Sequence, residues 1–511
     1  MPDFLRVFAA TGLLLGAIVA RPALADPWAM PGDLTLRSDI QRLADAGVIS
    51  APLMAWPVPW ASIDHGIQAW RSGDGKALPP DVLAALARVE RRLGIVRHTS
   101  GIQPTARFGV RTDEMWLRTF QDTPREEGSE LELGASWMGE RFAVGLRGQY
   151  ASDPLDGDEW RLDGSYAAMV LGNHILSAGA LDRWWGPGWQ GSLIYSTNAR
   201  PIPAFGLERN VALPFGTKWL SWIGPWSYKV VYGQLEHDRD VPNARFFGLH
   251  LSARPLPDLE IAVSRTAQWC GSGRPCDFGT FLDMLFGRDN RGDDVDLEDE
   301  PGNQLASVDL RWASPIGDAP YAIYGQATAE DEAGGLPSRW IALGGVEAWG
   351  RLETRWLSGN WRGHLEFTET TSEFYSTDRF DYTYEHFIYE DGYRYKGRAI
   401  GHAMDADSRS IGAGLTLAVD DGSEWSGLVR WATLNRKGNG RGDDARHSVA
   451  PEETEVLEMN LTYSVSLATP SLRLGRVTAG AGLRSVDNAI TGESSTDLVG
   501  LLQWSWDFRT P

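Results

Sequence analysis

From about residue 104 to the C-terminus the chain alternates apolar with polar or small side chains at period two. Over roughly 400 residues it never offers the ~18–20 consecutive apolar residues that a membrane-spanning helix needs. Period two places successive side chains on opposite faces of a strand. In the run from Phe142 to Tyr150, Phe142, Val144, Leu146 and Tyr150 share a face opposite Ala143, Gly145, Arg147 and Gln149. Leu457, Met459, Leu461, Tyr463, Val465 and Leu467 line one face of a second run, against Glu458, Asn460, Thr462 and Ser464. A third, Ile411 to Val419, sets its apolar residues against Gly412, Gly414, Thr416 and Ala418. Such strands suit a membrane barrel with an apolar outer face and a polar lumen. They also suit a soluble sandwich with the apolar face inward.

Two features favour the barrel. The first 25 residues have the form of a secretory leader: Arg6, an apolar run from Val7 to Ala20, and Ala23-Leu24-Ala25 as a small-x-small cleavage site. At the far end LVGLLQWSWDFRTP places Leu498, Leu502, Trp504, Trp506 and Phe508 on one face, the pattern of a closing strand of an outer-membrane barrel. A membrane strand of ~9–11 residues plus its connection uses about 22 residues, so the available length predicts about 18 antiparallel strands. A barrel that wide encloses water unless something fills it. Long stretches without strand character are available to do so, from Leu181 to Lys218, Ala267 to Asn303 and Thr371 to Asp407.

Residues 26–103 read as a small helical domain. Ser38-Asp39-Ile40-Gln41 fits a capping box, and Gly47 fits a left-handed stop. After Pro80, Val82, Leu86, Val89 and Leu93 recur at helical spacing, with Gly94 as the expected end. The proline-rich WPVPWASI, residues 56–63, delays the intervening helix to Ser62 or beyond. The expected organisation is a leader (1–25), a periplasmic helical domain (26–103) and an all-β transmembrane barrel (104–511) in the outer membrane.

Formal charge of -20 argues against nucleic acid as a partner. Cys270 and Cys276 read as a disulfide clip in an oxidising compartment. Two thiolates with no nearby histidine do not make a metal site, and the acidic run 289–300 misses the EF-hand glycine, which leaves a solvated loop. No GxSxG, HExxH or Walker A pattern is present, so the sequence nominates no catalytic residue, metal or cofactor.

Two segments have the chemistry of carbohydrate recognition, with aromatic faces for sugar C–H groups and charged groups for hydroxyls. LDRWWGPGWQGSLIYSTNARPIP, residues 181–203, contains Asp182, Arg183, Trp184, Trp185 and Trp189. Its glycines and prolines suggest a fixed irregular path, which favours a lumen constriction over a ligand site. FYSTDRFDYTYEHFIYEDGYRY, residues 374–395, contains Arg379, Tyr382, Tyr384, Tyr389, Tyr393, Arg394 and Tyr395. It reads either as a surface binding loop or as part of the aromatic girdle.

Four blocks carry a more specific signal: PGDLTLRSDIQRLADAGVI, WPVPWASI, RWWGPGWQGSLIYSTNARPIP and ARFFGLHLSARPLPDLEIAVSRTAQWCGSGRP. In order and composition they resemble the Wzi-type capsule-assembly family. That resemblance implies an outer-membrane barrel of about 18 strands with a periplasmic helical bundle. It implies a lectin that binds capsular or extracellular polysaccharide at the cell surface without catalysis, among lipid and lipopolysaccharide. Two other classes fit the residues: a channel for cations or oligosaccharides, and a surface glycan-modifying hydrolase using two carboxylates.

Overall fold

A computed structural model describes residues 27–73, 77–98, 101–285, 302–317, 319–333, 336–376, 378–436, 447–468 and 473–507. The expected leader (1–25), the acidic run 289–300 and Phe508 lie outside these residues. Nineteen strand elements form one closed ring. One of them, Trp160–Arg161, is a two-residue piece paired with the end of Phe142–Ala151, which leaves eighteen wall strands. The ring closes where Ser494–Asp507 pairs antiparallel with Ile102–Arg111, Leu502 opposite Val110. The wall thus begins at Ile102, two residues before the expected boundary at 104.

The structure decides which face is inside. On Thr454–Ala468, Leu457, Met459 and Leu461 are exposed, whereas Glu458, Thr462 and Ser464 are buried. On Arg409–Val419, Ile411 and Leu415 point out, and on the closing strand Leu498, Leu502 and Trp504 do the same. Apolar side chains therefore face outward all round the ring while carboxylates, guanidinium groups and hydroxyls line the interior. This arrangement is stable only where lipid surrounds the wall.

Three helices precede the wall: α1 (Leu34–Asp45), α2 (Trp60–Ser72) and α3 (Pro80–His98). The start of α1 differs from the capping-box expectation. Asp33 is its cap, accepting from Leu36 N at 2.8 Å, because the buried stripe Leu36, Ile40, Leu43 already begins before Ser38. Asp39 instead takes two 2.7 Å bonds from Arg88 of α3. Gly47 lies at φ 74, the left-handed stop expected of it. Helix α2 starts directly after Pro59, at Trp60, because Pro59 takes the extended cap position and leaves the helix interior unbroken. Helix α3 continues through Gly94, since Leu93 and Val96 are both buried and the apolar spacing continues past the glycine.

The helices cap the end of the barrel that carries short turns. Asn360 Nδ2 donates to Asp81 O at 2.6 Å beside the turn from Glu353 to Ser358, and Arg254 Nη1 donates to Ile49 O at 2.9 Å beside the turn from Leu256 to Leu259. Long connections, 112–127 and 370–408 among them, leave from the opposite end.

The inside-out pattern makes a sharp mutational prediction. Leu461 is mid-strand on the lipid face, so Leu461→Arg should destabilise the barrel by about 2–4 kcal/mol in vesicles, whereas Thr462→Val on the lumen face should not show that depth-dependent cost. Urea unfolding in lipid vesicles, scored by heat-modifiable migration, checks the contrast. Equal effects at the two positions would reverse the assignment of faces.

Candidate functional site

The Trp-Gly-Pro segment runs through the lumen, and the barrel wall supplies the hydrogen bonds that its irregular backbone cannot make to itself. Glu366 accepts from Trp189 N at 2.7 Å, from Gln190 N at 3.0 Å and from the Tyr324 hydroxyl at 2.9 Å. Gln326 accepts from Leu193 N at 2.7 Å and donates to Trp185 O at 3.0 Å. Trp184 and Trp185 pair as a short antiparallel ladder with Trp56 and Ala55, and Gly186 N donates to Met54 O at 2.8 Å. Glu260 in turn holds the N–H groups of Leu53 and Met54, each at 2.7 Å.

The glycines are required by close approach. A Cβ on Gly186, at φ 144, would sit 2.7 Å from the Gln326 amide, and one on Gly191 would overlap the His402 ring. Trp184, Trp185 and Trp189 are all buried, and Trp189 Nε1 donates to Glu347 at 2.9 Å. Asp182 is half-buried and Arg183 buried in the same packing. Burial keeps the Asp182 carboxyl above its usual range, although Arg125 opposes this.

Arg37 of α1 joins the helical domain to this plug. Its guanidinium lies 4.2 Å from the Trp189 ring and 4.4 Å from the Phe120 ring, and Nη2 donates to Pro187 O at 2.7 Å. Burial lowers its pKa to about 10 against the pull of Glu347 and Glu366, so it stays charged at neutral pH. Below it, Asp45 bonds Arg311 at 2.7 Å, Arg311 bonds Glu347 at 2.6 Å, and Arg362 bridges Glu347 at 3.0 Å and Asp45 at 3.3 Å.

The tyrosine-rich segment closes the opposite end, and most of it is not surface. Tyr384 and Tyr393 are fully buried, with Tyr389 and Tyr395 nearly so. The Tyr384 hydroxyl donates to Leu193 O at 2.5 Å, and that of Tyr393 to Ile194 O at 2.7 Å. The two candidate segments therefore pack on each other, the tyrosines capping carbonyls of the tryptophan segment. This corrects the expectation of a solvent-facing loop for Tyr384, Tyr389, Tyr393 and Tyr395. The reason lies in partners remote in sequence: a buried backbone carbonyl needs a donor, and a tyrosine brings one on an apolar ring. Tyr389 donates to Cys270 O at 3.1 Å, and Cys270 is bonded to Cys276.

Arg394 is also internal. It makes two 2.8 Å bonds to Asp405 and one of 2.7 Å to Glu385. Burial works against the Asp405 carboxylate, but Arg394 and His447 together hold it well below the usual carboxylate range. His402, against Gly191, is pushed down to about 3 by burial and then by Arg430, so it is neutral.

What faces outward is narrower. Tyr375, Asp378, Arg379 and Phe387 are exposed, and Phe374, Phe380 and Tyr382 are half-buried beside them. The Tyr382 ring is flanked by Arg339 at 4.2 Å and Arg379 at 4.8 Å, and Arg436 lies 5.6 Å from the Phe380 ring while bonding Asp378 at 3.1 Å. Of the seven residues expected in this segment, the rim retains Arg379 and Tyr382. Arg339 and Arg436 were not nominated, because each lies on a different wall strand or its extension and only the closed barrel brings them here. Among the described residues no group of His, Cys, Asp and Glu could hold a metal ion. Between plug and wall remains a cavity of about 80 Å³ lined in part by Gln121, Gln190, His364, Arg430 and Thr462, room for a few ordered waters.

The model of the family described as Capsule assembly protein Wzi matches residues 99–497. The chain belongs to this family. It is 32% identical over 416 residues to a Klebsiella pneumoniae protein described as an uncharacterized protein in the cps region, covering 79% of this chain and 77% of that one. It also resembles the solved structure of Wzi, an outer membrane protein involved in group 1 capsule assembly in Escherichia coli and a carbohydrate binding β-barrel. That match has 28% identity and a TM-score of 0.79, and covers 94% of this chain and 99% of that one. The present chain is accordingly a capsule-assembly outer-membrane barrel of the Wzi family.

Two measurements test the plug. Asp405→Asn should cost about 3–5 kcal/mol at pH 7, because it leaves the buried Arg394 short of its main partner. Since the folded Asp405 pKa lies below the unfolded value of ~3.9, its contribution is complete above that value and lost as pH falls through the folded one. The stability gap between wild type and variant should therefore narrow below about pH 4 in urea titrations. A gap independent of pH would remove the charge from the explanation.

Proposed function

We propose that this barrel binds capsular or extracellular polysaccharide at the outer surface and holds it there as a non-catalytic lectin, with the rim around Tyr382 as the contact region. The observation that supports it most directly is the rim itself. Exposed Tyr375 and Phe387, with Tyr382 between two guanidinium groups, offer aromatic faces beside hydrogen-bond donors on the end of the barrel away from the helices. The likeness to a carbohydrate binding β-barrel of the same family points the same way.

Orientation follows from loop length. Outer-membrane barrels put short turns on the periplasmic side and long loops outside. That convention makes the helix-capped end periplasmic and the rim extracellular. Individually weak sugar contacts are multiplied by a repeating polymer, so a shallow rim suffices without a deep pocket.

The same structure disfavours the rival classes. The tryptophan segment, the 112–127 loop and α1 are bonded to the inner wall through Trp189, Leu117 and Asp45, which narrows the route that a channel for oligosaccharides would need. Glu347 and Glu366, the carboxylates that hold the tryptophan segment, are bonded to arginines and to backbone N–H groups respectively, which occupies oxygens that a hydrolase centred on them would need free.

Arg379→Ala with Tyr375→Ala and Tyr382→Ala should lower retention on immobilised polymer at least tenfold while leaving heat-modifiable migration unchanged. In cells the triple variant should shed polymer into the medium without reducing its synthesis. Full retention by the folded triple variant would move the contact region elsewhere, and loss of synthesis would contradict an attachment role.

A further inference from the structure

The short-turn end of the barrel carries one connection out of keeping with the rest. Between Ala204–Arg209 and Trp226–Gln234 the chain spends residues 210–225, NVALPFGTKWLSWIGP, in which Lys218 is the sole charged residue. Trp219 is 87% exposed and Trp222 68%, with Leu213 and Leu220 exposed beside them. A short 3₁₀ turn, Ser221–Ile223, and Gly224 at φ 71 hold the two indoles outward. Contiguous exposed apolar side chains of this size mark a surface that another phase covers.

Its placement indicates which phase. The Phe215 ring stacks on Trp226 at 4.6 Å and 13°, and Trp226 stacks on Tyr228 at 6.1 Å. On this strand Lys229 is buried toward the lumen, bonded to Glu208 and to Pro57 O, so the alternating Trp226, Tyr228 and Tyr232 lie on the lipid-facing side. The loop is thus continuous with the lipid-facing wall. On the other flank Ala212 N donates to Ser62 Oγ of α2 at 2.9 Å, which ties the base of the loop to the helical domain. At the same end, in the turn from Glu353 to Ser358, Trp356 is also almost wholly exposed. Indoles gather where one edge meets hydrocarbon and the N–H meets headgroups, and a lysine beside them suits anionic phosphate.

We propose that residues 213–223 form an interfacial keel seated in the headgroup region of the periplasmic phospholipid leaflet, with Trp219, Leu220 and Trp222 inserted and Lys218 at the phosphates. Through Ala212 and Ser62 the keel would fix the height of the helical cap against the membrane. The lipid contact does not depend on the glycan reading; only the choice of leaflet rests on the orientation argued above.

The two native cysteines are bonded to each other, so a single introduced thiol can be labelled in the full-length protein. An environment-sensitive fluorophore on Trp219→Cys, in heat-modifiable barrels in phosphatidylethanolamine/phosphatidylglycerol vesicles, should be quenched several-fold more by lipid spin-labelled near the headgroup than by aqueous cobalt. The same fluorophore on Gln68→Cys, exposed on α2, should show the reverse order. If the label on Trp219→Cys follows the aqueous pattern of the label on Gln68→Cys, the keel is overturned and a periplasmic protein becomes the partner to seek. Separately, a membrane-impermeant maleimide should fail to reach the thiol of the Gln68→Cys variant in intact cells. Labelling there would overturn the orientation while leaving the lipid contact standing.

Discussion

The structure depends on how a wide barrel with a polar inner wall is filled. Water would satisfy that wall, but a packed plug must satisfy it atom by atom, because an unpaired group in a dry lumen costs more than a bond returns. The decisive set is Asp45, Arg311, Glu347 and Arg362, four charged side chains almost wholly buried and joined by bonds of 2.6–3.3 Å. Asp45 belongs to α1 and the other three to the wall, so this network determines where the helical domain can sit. Such a buried network adds little stability over an apolar core, but removing one member strands the others. It ties α1 to three wall strands, and α1 seated there places Arg37 against the faces of Trp189 and Phe120.

From Arg37 the constraint passes outward in layers. Trp189 is held on one side by that cation and along its backbone by Glu366, and the carbonyls of Leu193 and Ile194 then take the hydroxyls of Tyr384 and Tyr393. Arg394 and Asp405 clamp the tyrosine segment in turn, and the rim around Tyr382 rests on it. A surface built this way is supported from beneath by packed layers rather than by loop chemistry alone. In the proposed reading polymer is held on this rim, and the packed segments in the lumen serve as its scaffold.

Several features were legible without coordinates, each for a local reason. Strand alternation, the stop at Gly47 and the buried stripe of Val82, Leu86, Val89 and Leu93 depend on near neighbours only. The start of α1 at Leu34 was misplaced because Ser38-Asp39-Ile40-Gln41 imitates a cap, although its Asp39 is committed to Arg88 of another helix. The tryptophan segment could be recognised as a constriction from its glycines and prolines. The tyrosine segment could not be recognised as its lid, since nothing within residues 374–395 indicates that Leu193 and Ile194 lack donors.

Sequence by itself determined the class of the molecule: an alternating chain of this length, ending in an aromatic-faced strand and preceded by amphipathic helices, closes as a barrel of about eighteen strands. Its blocks also placed it in its family. What only the tertiary structure decided was the direction of each face and the fate of each aromatic. Period two is the same whether lipid or a core lies on the apolar side, and a tyrosine looks the same whether its hydroxyl meets water or a carbonyl two hundred residues away. Both choices are set by partners that closure of the ring brings together, and pairing across such distances leaves no mark in a local pattern.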